Sequence, residues 1–177
     1  MWDLTRMGWL KSEHMFGKND IMKLNLGSGK KNMVGYVNID AISHTKETVI
    51  GDILNLTYGD ESISHIYSSH VIEHLDKNEL RRFFSECSRM LCKGGELELL
   101  APSITLIINN FNAGLVDIDY VDDFLYALHL HQYDYHKQGI YKEKLERLCL
   151  EYGFNVNEIS HINDIKTPEI HIISIKK

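Results

Sequence analysis

The stretch KLNLGSGKKNMVGYVNID, residues 23–40, holds two short apolar segments separated by a turn that contains two glycines. Both segments are bounded by Gly, Asn or Asp, which is typical of strands. Gly27 and Gly29 allow the main chain of the turn to approach another group closely, and Asp40 ends the second segment with a carboxylate. The pattern predicts either a tight turn alone or a place where a ligand lies against bare backbone.

The remainder of the chain alternates between strand-like and helix-like patterns. The apolar residues of 75–95 recur with the spacing of one helix face, Asp76 and Glu79 have capping-box spacing, and Gly94 and Gly95 supply a stop. Further strand candidates are ETVIGDI (47–53), ISHIYSS (63–69), GELELLAPS (95–103), NVNEISHI (155–162) and EIHIISIKK (169–177). This order predicts an α/β three-layer sandwich with a Rossmann-like, mostly parallel seven-stranded sheet that ends in an antiparallel strand pair.

Two segments fit this fold less simply. Parallel neighbours normally need a crossover of about a dozen residues or more, yet only residues 27–35 separate the first two strands, so we expect an abbreviated turn there instead of a helix. Residues 1–21 hold both tryptophans and have weak periodicity. We therefore expect an N-terminal extension over 1–21, acting as a tail, lid or docked helix, and a folded domain over 22–177.

Composition narrows the classes of partner. The chain has 177 residues, a net charge of -6 and no long basic run, so we expect no nucleic acid partner. No apolar run approaches the roughly 18 residues of a membrane span, and the N-terminus lacks a signal-peptide core. We expect a cytoplasmic protein, with a homodimer left open.

The order of these motifs resembles that of class I S-adenosylmethionine-dependent methyltransferases. The likeness is carried by KLNLGSGKKNMVGYVNIDA, GDILNL and ISHIYSSHVIEHLDKNELRRFFSECSRMLCKGGELELLAPS, and it is strongest over about residues 22–103. The nearest group is the short Methyltransf_11 (UbiE-like) type found beside glycosyltransferases. The resemblance implies S-adenosyl-L-methionine as cofactor, S-adenosyl-L-homocysteine as product, and a small-molecule or glycan-like substrate methylated at oxygen.

The resemblance also implies roles for individual residues. The methionine part of the cofactor would be wrapped by five consecutive residues, Asn25, Leu26, Gly27, Ser28 and Gly29. Asp40 would hold the ribose, beside an adenine contacted by Ala41, Ile42, Asp52 and Ile53. The methyl-donor side would be lined by Ser68, Ser69 and His70. Two positions depart from the family pattern: Asn25 stands where an acid is usual, and Lys31 replaces a third glycine.

Transfer to a hydroxyl also requires removal of a proton, for which histidine is suited near neutral pH. The candidate bases are His70, after the fourth strand, and His136, in an aromatic-histidine segment that is similar to the family's acceptor wall. We expect His74 to anchor the start of the long helix and Glu73 to bond backbone groups there.

Three other interpretations remain beside this one. A metal site built from His70, His74, His129, His131 and His136 matches no known ligand spacing, so we predict no metal. A nicotinamide dehydrogenase would need GxGxxG, but Asn32 occupies the last position. A non-catalytic binding or scaffold protein with the same fold is the alternative from a different class.

Overall fold

The protein is described by a computed structural model, which defines residues 22–127, 133–165 and 167–177. Seven strands form one sheet in the order β3-β2-β1-β4-β5-β7-β6. Only β7 runs against its neighbours, pairing antiparallel with both β5 and β6. The strands are β1 (Met22–Leu26), β2 (Val37–Asp40), β3 (Val49–Ile50), β4 (Ile63–Ser69), β5 (Leu91–Pro102), β6 (Phe154–Asn163) and β7 (Pro168–Lys176). The predicted Rossmann-like sheet with its antiparallel terminal pair is confirmed.

Four α-helices within the described residues connect or follow these strands. They are α1 (Lys77–Met90), α2 (Ile104–Asn112), α3 (Ile118–Tyr126) and α4 (Lys142–Glu151), and a 3-10 turn covers Ile72–His74. Asp76 accepts hydrogen bonds from the backbone N–H groups of Asn78 and Glu79, while the Glu79 side chain accepts from the Asp76 N–H, so the predicted capping box is present. In the described residues no helix is long and apolar enough to cross a bilayer.

One face of the sheet carries the hydrophobic core. Alternate residues of the central strands, such as Leu24, Ile66 and Leu99, are fully or almost fully buried with Phe83 of α1 and Leu145 of α4. Because side chains alternate along a strand, the intervening residues lie on the other face. That face carries His65, Tyr67, Glu96, Glu98 and His171, so it is polar at the centre of the sheet.

Two details of the connections concern the expectations above. The crossover at 27–36, fully described, contains turns and no helix, as its length predicts. The helix α1 ends at Met90 and not at the glycines, because Leu91 already pairs with Ile63 as the first residue of β5. Gly94 instead has a φ of +79° within the irregular pairing that follows Leu91. The predicted extension over 1–21 lies outside the described residues.

Candidate active site at the carboxyl ends of the central strands

The glycine turn leaves β1 at the point where β2 and β4 also end. The N–H groups of Gly27 and Ser28 both donate to the carbonyl of Ile39, at 2.8 and 3.0 Å, which closes the turn against β2. Gly27 has a φ of +67°, and a Cβ placed on it would lie 2.1 Å from Cγ2 of Val71. Only glycine fits this position, because both the backbone conformation and the neighbouring valine exclude a side chain.

Asn25 uses its amide to hold the short crossover together. Its Nδ2 donates to the Lys31 carbonyl at 2.9 Å and to Oδ1 of Asn38 at 2.8 Å, and Asn38 Oδ1 also accepts from the Met33 N–H. Asn25 and Asn38 are both buried. An acid at residue 25 could not donate to these two oxygens. The departure from the family pattern is therefore explained by the loop, and both Asn25 amide hydrogens are directed away from a ligand.

Asp40 lies where the resemblance requires a ribose-binding acid. Its Oδ2 accepts from the Gly29 N–H at 2.8 Å and its Oδ1 from the Ile42 N–H at 3.0 Å, so the carboxylate is fixed between the turn and the residues after β2. The side chain is 15% exposed. Each carboxylate oxygen has a second lone pair, so Asp40 can accept two further hydrogen bonds from a diol.

Two features of the turn are not occupied by contacts within the described part of the fold: the Ser28 hydroxyl and the space beside the Cα of Gly29. The Ser28 hydroxyl is buried and finds no hydrogen-bond partner among the described residues. A Cβ built on Gly29 would meet no described atom within 4 Å. An unpaired buried hydroxyl beside open space indicates a site for a polar ligand, because a buried polar group without a partner is disfavoured.

The residues predicted for the adenine lie beside Asp40. The Gly51 N–H donates to the Asp40 carbonyl at 3.0 Å, which brings Asp52 and Ile53 to the same edge as Ala41. Asp52 is exposed and accepts from the Leu54 N–H at 2.9 Å. Ile53 is half-buried against the core, and Ala41 is exposed. Asp52 and Ala41 therefore remain accessible at the edge of the sheet.

Ser68 has a structural bond of its own. Its hydroxyl is buried and donates to the Leu26 carbonyl at 3.0 Å, so it joins β4 to β1. Leu26 itself is fully buried, backbone included. Ser69 pairs with Leu100 in the sheet and is half-buried.

His70 follows at the end of β4 with a φ of +56°, a left-handed conformation that is rare outside glycine. Its Nε2 lies 2.6 Å from Oε1 of Glu169, and its Nδ1 lies 3.6 Å from Oε1 of Glu73. The Glu73 carboxylate, followed by Glu169, raises the pKa of His70 to about 9. A histidine that stays protonated at neutral pH is a hydrogen-bond donor, so the structure argues against His70 as the base.

A second polar group lies next to His70 and is formed by Glu73, His74 and His136; we call it the histidine cluster. His74 Nδ1 donates to the Tyr135 carbonyl at 3.1 Å, and His136 Nδ1 to the Phe124 carbonyl at 2.7 Å. These bonds leave the Nε2 atom of each ring as the acceptor. Burial lowers the pKa of His74, which keeps its imidazole neutral.

Glu73 is the residue that the sequence interpretation missed. Its carboxylate is 1% exposed, and neither oxygen has a hydrogen-bond partner in the described part of the chain, so it does not bond backbone groups as expected. His74 likewise bonds the 133–136 segment and not the start of α1. A single glutamate between apolar residues forms no recognisable motif in the sequence. Its buried position is therefore seen only in the folded structure. His129 and His131 lie outside the described residues.

Glu73 and His136 also line a cavity of about 20 Å³. Pro102, Ile104 and Phe124 supply its apolar walls. A volume of this size holds one water molecule or one ion, because about 10 to 15 Å³ is the minimum for a water.

Comparison with known proteins agrees with the fold. Residues 24–99 match the family described as Methyltransferase domain. No curated protein sequence matches the chain.

Solved structures resemble the whole described architecture. A S-adenosylmethionine-dependent methyltransferase from Methanosarcina mazei has a TM-score of 0.65 at 15% identity, over 93% of this chain and 96% of its own. One from Archaeoglobus fulgidus has a TM-score of 0.63 at 15% identity, over 95% and 91%. Magnesium protoporphyrin IX methyltransferase from Synechocystis, with bound S-adenosylhomocysteine, has a TM-score of 0.59 at 11% identity, over 96% and 79%. The resemblance is thus confirmed: residues 24–99 match the methyltransferase-domain family, and the chain has the class I S-adenosylmethionine-dependent methyltransferase fold.

Proposed function

We propose that the protein transfers a methyl group from S-adenosylmethionine to an oxygen of a small-molecule or glycan-like acceptor. One observation carries the proposal. Asp40, the open space at Gly29 and the unpaired Ser28 hydroxyl converge at the carboxyl ends of β1 and β2. Ligands of doubly wound sheets bind at this edge.

The residues fit the cofactor as follows. Asp40 would accept the two ribose hydroxyls, while Ala41, Ile42, Asp52 and Ile53 would flank the adenine. Ser28 and the backbone of Gly27 and Gly29 would contact the methionine part, with Asn25 acting through the loop that it holds. When bound, S-adenosylmethionine supplies an electrophilic methyl group on a sulfonium.

The chain's own residues would then orient the acceptor and receive its proton. In the transfer, the bond from acceptor oxygen to methyl forms as the sulfur–methyl bond breaks, and the hydroxyl proton leaves. The histidine cluster offers Nε2 of His74 and of His136 as acceptor nitrogens, whereas the raised pKa of His70 makes that residue a donor. His136 is the better of the two predicted bases because its Nδ1 is already bonded to Phe124 and its Nε2 can accept.

Calorimetric titration with S-adenosylhomocysteine tests the proposal. The wild-type chain should bind, and Asp40→Ala should weaken binding at least 100-fold, because the charge-assisted bonds to the ribose disappear. Asp60→Ala is a matched control, since Asp60 is an exposed acid paired with Arg89 away from the site. Absence of binding by the wild-type chain would contradict the proposal and favour the non-catalytic scaffold, as would equal binding by Asp40→Ala.

A further inference from the structure

We propose that Glu73, His74 and His136 bind one divalent transition-metal ion, of the zinc, iron or manganese class. Two imidazole nitrogens and one carboxylate are a donor set that such ions take in proteins. The role of this ion in methyl transfer rests on the proposed function, but its binding does not. The proposal departs from the expectation of no metal, which considered histidines alone.

The ligand atoms already converge. The candidate atoms of the three residues lie within 4.8 Å of one another, and Glu73 Oε1 is 3.9 Å from His74 Nε2. Metal–ligand distances of about 2.0 to 2.2 Å place neighbouring ligand atoms about 3 to 3.4 Å apart, so side-chain shifts of about 1 Å suffice.

Both imidazoles are oriented in the way that metal ligands usually are. A ligating histidine commonly donates its second ring N–H to a backbone carbonyl or a carboxylate, which fixes the ring and its tautomer. His74 and His136 each do so, to Tyr135 and Phe124, and their rings are 4.9 Å apart between centroids. The free nitrogen of each ring is Nε2, and in His74 this is the atom that lies 3.9 Å from Glu73 Oε1.

Glu73 supplies the independent observation, because neither oxygen of its buried carboxylate has a hydrogen-bond partner among the described residues. A buried carboxylate is strongly disfavoured unless it is paired. His70 lies 3.6 Å away but makes its short contact, 2.6 Å, with Glu169, and it approaches Glu73 through Oε1 only. The adjoining cavity of about 20 Å³ has room for a single ion or water.

The two segments that bear the ligands are held together by other bonds. The Lys137 N–H donates to the Glu73 carbonyl at 2.9 Å, and Gln138 Nε2 donates to the Leu75 carbonyl at 2.6 Å. The ligands therefore come from a preorganised pair of segments. An ion held there could bind the acceptor oxygen and lower its pKa, in which case His136 acts as a ligand instead of a base.

A second cluster in the sheet, His65, Glu96 and Glu98, has the same residue types, but its carboxylates reach solvent. His65 Nε2 lies 3.1 Å from Glu96 and 3.4 Å from Glu98, and Glu98 is also 2.9 Å from His171. Its carboxylates are 39% and 22% exposed, so none is buried without compensation. This cluster provides the control.

The test is calorimetric titration of the full chain, stripped with a chelator, with Zn²⁺ and separately with Mn²⁺. We expect one tight site, weakened at least 100-fold by Glu73→Gln and by His136→Gln, and unchanged by His65→Gln. Circular dichroism confirms folding of each variant, and Zn²⁺ should raise the melting temperature of the wild-type chain but not of Glu73→Gln.

If the stripped chain binds neither ion, or Glu73→Gln binds as tightly as the wild type, the site does not exist. Should a variant fail to fold, His74→Gln, whose ring is half-buried, replaces it with the same expectation. Titration with S-adenosylhomocysteine on the same samples separates the two proposals, because ion binding needs no cofactor and Asp40→Ala should leave it intact.

Discussion

The glycine turn and the histidine cluster lie side by side but differ in whether their buried polar atoms have hydrogen-bond partners. At the turn, Asn25 bonds Asn38 and Asp40 bonds Gly29 and Ile42, so almost every buried polar atom has a partner. In the cluster, both oxygens of Glu73 lack a hydrogen-bond partner among the described residues. Val71 joins the two regions, since it packs on Gly27 and precedes the turn that bears Glu73.

This difference separates two tasks. A region whose polar groups satisfy one another is rigid before any ligand arrives, and it suits binding by shape and backbone. A region with a buried carboxylate that accepts no hydrogen bond from the described residues, and whose nearest cation among them, His70, lies 3.6 Å away, is stabilised by a closer cation or a proton. We interpret the turn as the cofactor cradle and the cluster as the chemical side of the site.

The largest expected effect comes from Gly27→Ala, which breaks the packing between the two regions. The left-handed conformation costs about 1 to 2 kcal/mol for alanine, and the contact with Val71 adds about 1 to 3 kcal/mol. Urea unfolding should therefore show a loss of about 3 kcal/mol.

Gly29→Ala is the matched comparison, with a φ of +52° and open space at its Cβ. It should cost only about 1 kcal/mol of stability, but it should weaken S-adenosylhomocysteine binding by projecting into the cradle. Adding Val71→Ala should recover the part of the Gly27→Ala loss that comes from the contact, and should recover nothing for Gly29→Ala. Equal losses for the two glycine variants would refute the contrast between them.

Asn25→Asp tests whether the turn is self-satisfied or merely lacks the family's acid. A carboxylate at this position faces the Lys31 carbonyl and Oδ1 of Asn38 without hydrogens to donate, so we expect a loss of about 2 to 3 kcal/mol near pH 7. The substitution should not strengthen cofactor binding.

The pH dependence of Asn25→Asp gives a further check. The protonated carboxyl can donate one hydrogen bond, so the folded state favours it and raises the pKa of the introduced group above about 3.9. The folded state then binds more protons than the unfolded one, and stability falls as pH rises through this range. Asn38→Asp keeps the hydrogen bonds that the side-chain oxygen accepts and loses only the two that Nδ2 donates, to the carbonyls of Met33 and Tyr36 at 3.3 Å. It should therefore lower the free energy of unfolding less than Asn25→Asp does.

The fold was accessible from the sequence because its signals are local. The spacing of Leu80, Phe83 and Phe84 marks α1, and the capping box fixes its start to the residue. The end of α1 was wrong because pairing of Leu91 with Ile63 outweighs the glycine stop, and such pairing is not visible in a local pattern. Tertiary contacts commonly override local propensity in this way.

The candidate site likewise contains residues that can be predicted from the sequence and residues whose roles depend on tertiary contacts. Asp40 and the glycines are recognisable from their order along the chain, and the structure places them at one sheet edge. Glu73 acquires its meaning only when residues 133–138 fold over it, because its environment is set by groups more than 60 residues away, such as the carbonyl of Tyr135 beside His74. The roles of Asn25 and Ser68 could not be predicted either, since their partners Asn38 and Leu26 lie on neighbouring strands.

Ser28→Ala produces the smallest effect and tests one of two exceptions among the described residues of the turn, the other being Asn32 Oδ1. Removing a buried hydroxyl that has no described partner should leave the free energy of unfolding within about 0.5 kcal/mol of wild type, or raise it. Binding of S-adenosylhomocysteine should weaken about fivefold, the equivalent of one ordinary hydrogen bond of about 1 kcal/mol. Ser68→Ala is the control with the opposite signature, because its hydroxyl bonds the Leu26 carbonyl: stability should fall by about 1 kcal/mol while binding stays unchanged. If Ser28→Ala instead loses stability and keeps its affinity, that hydroxyl belongs to the fold and the cradle lacks a polar contact for the cofactor.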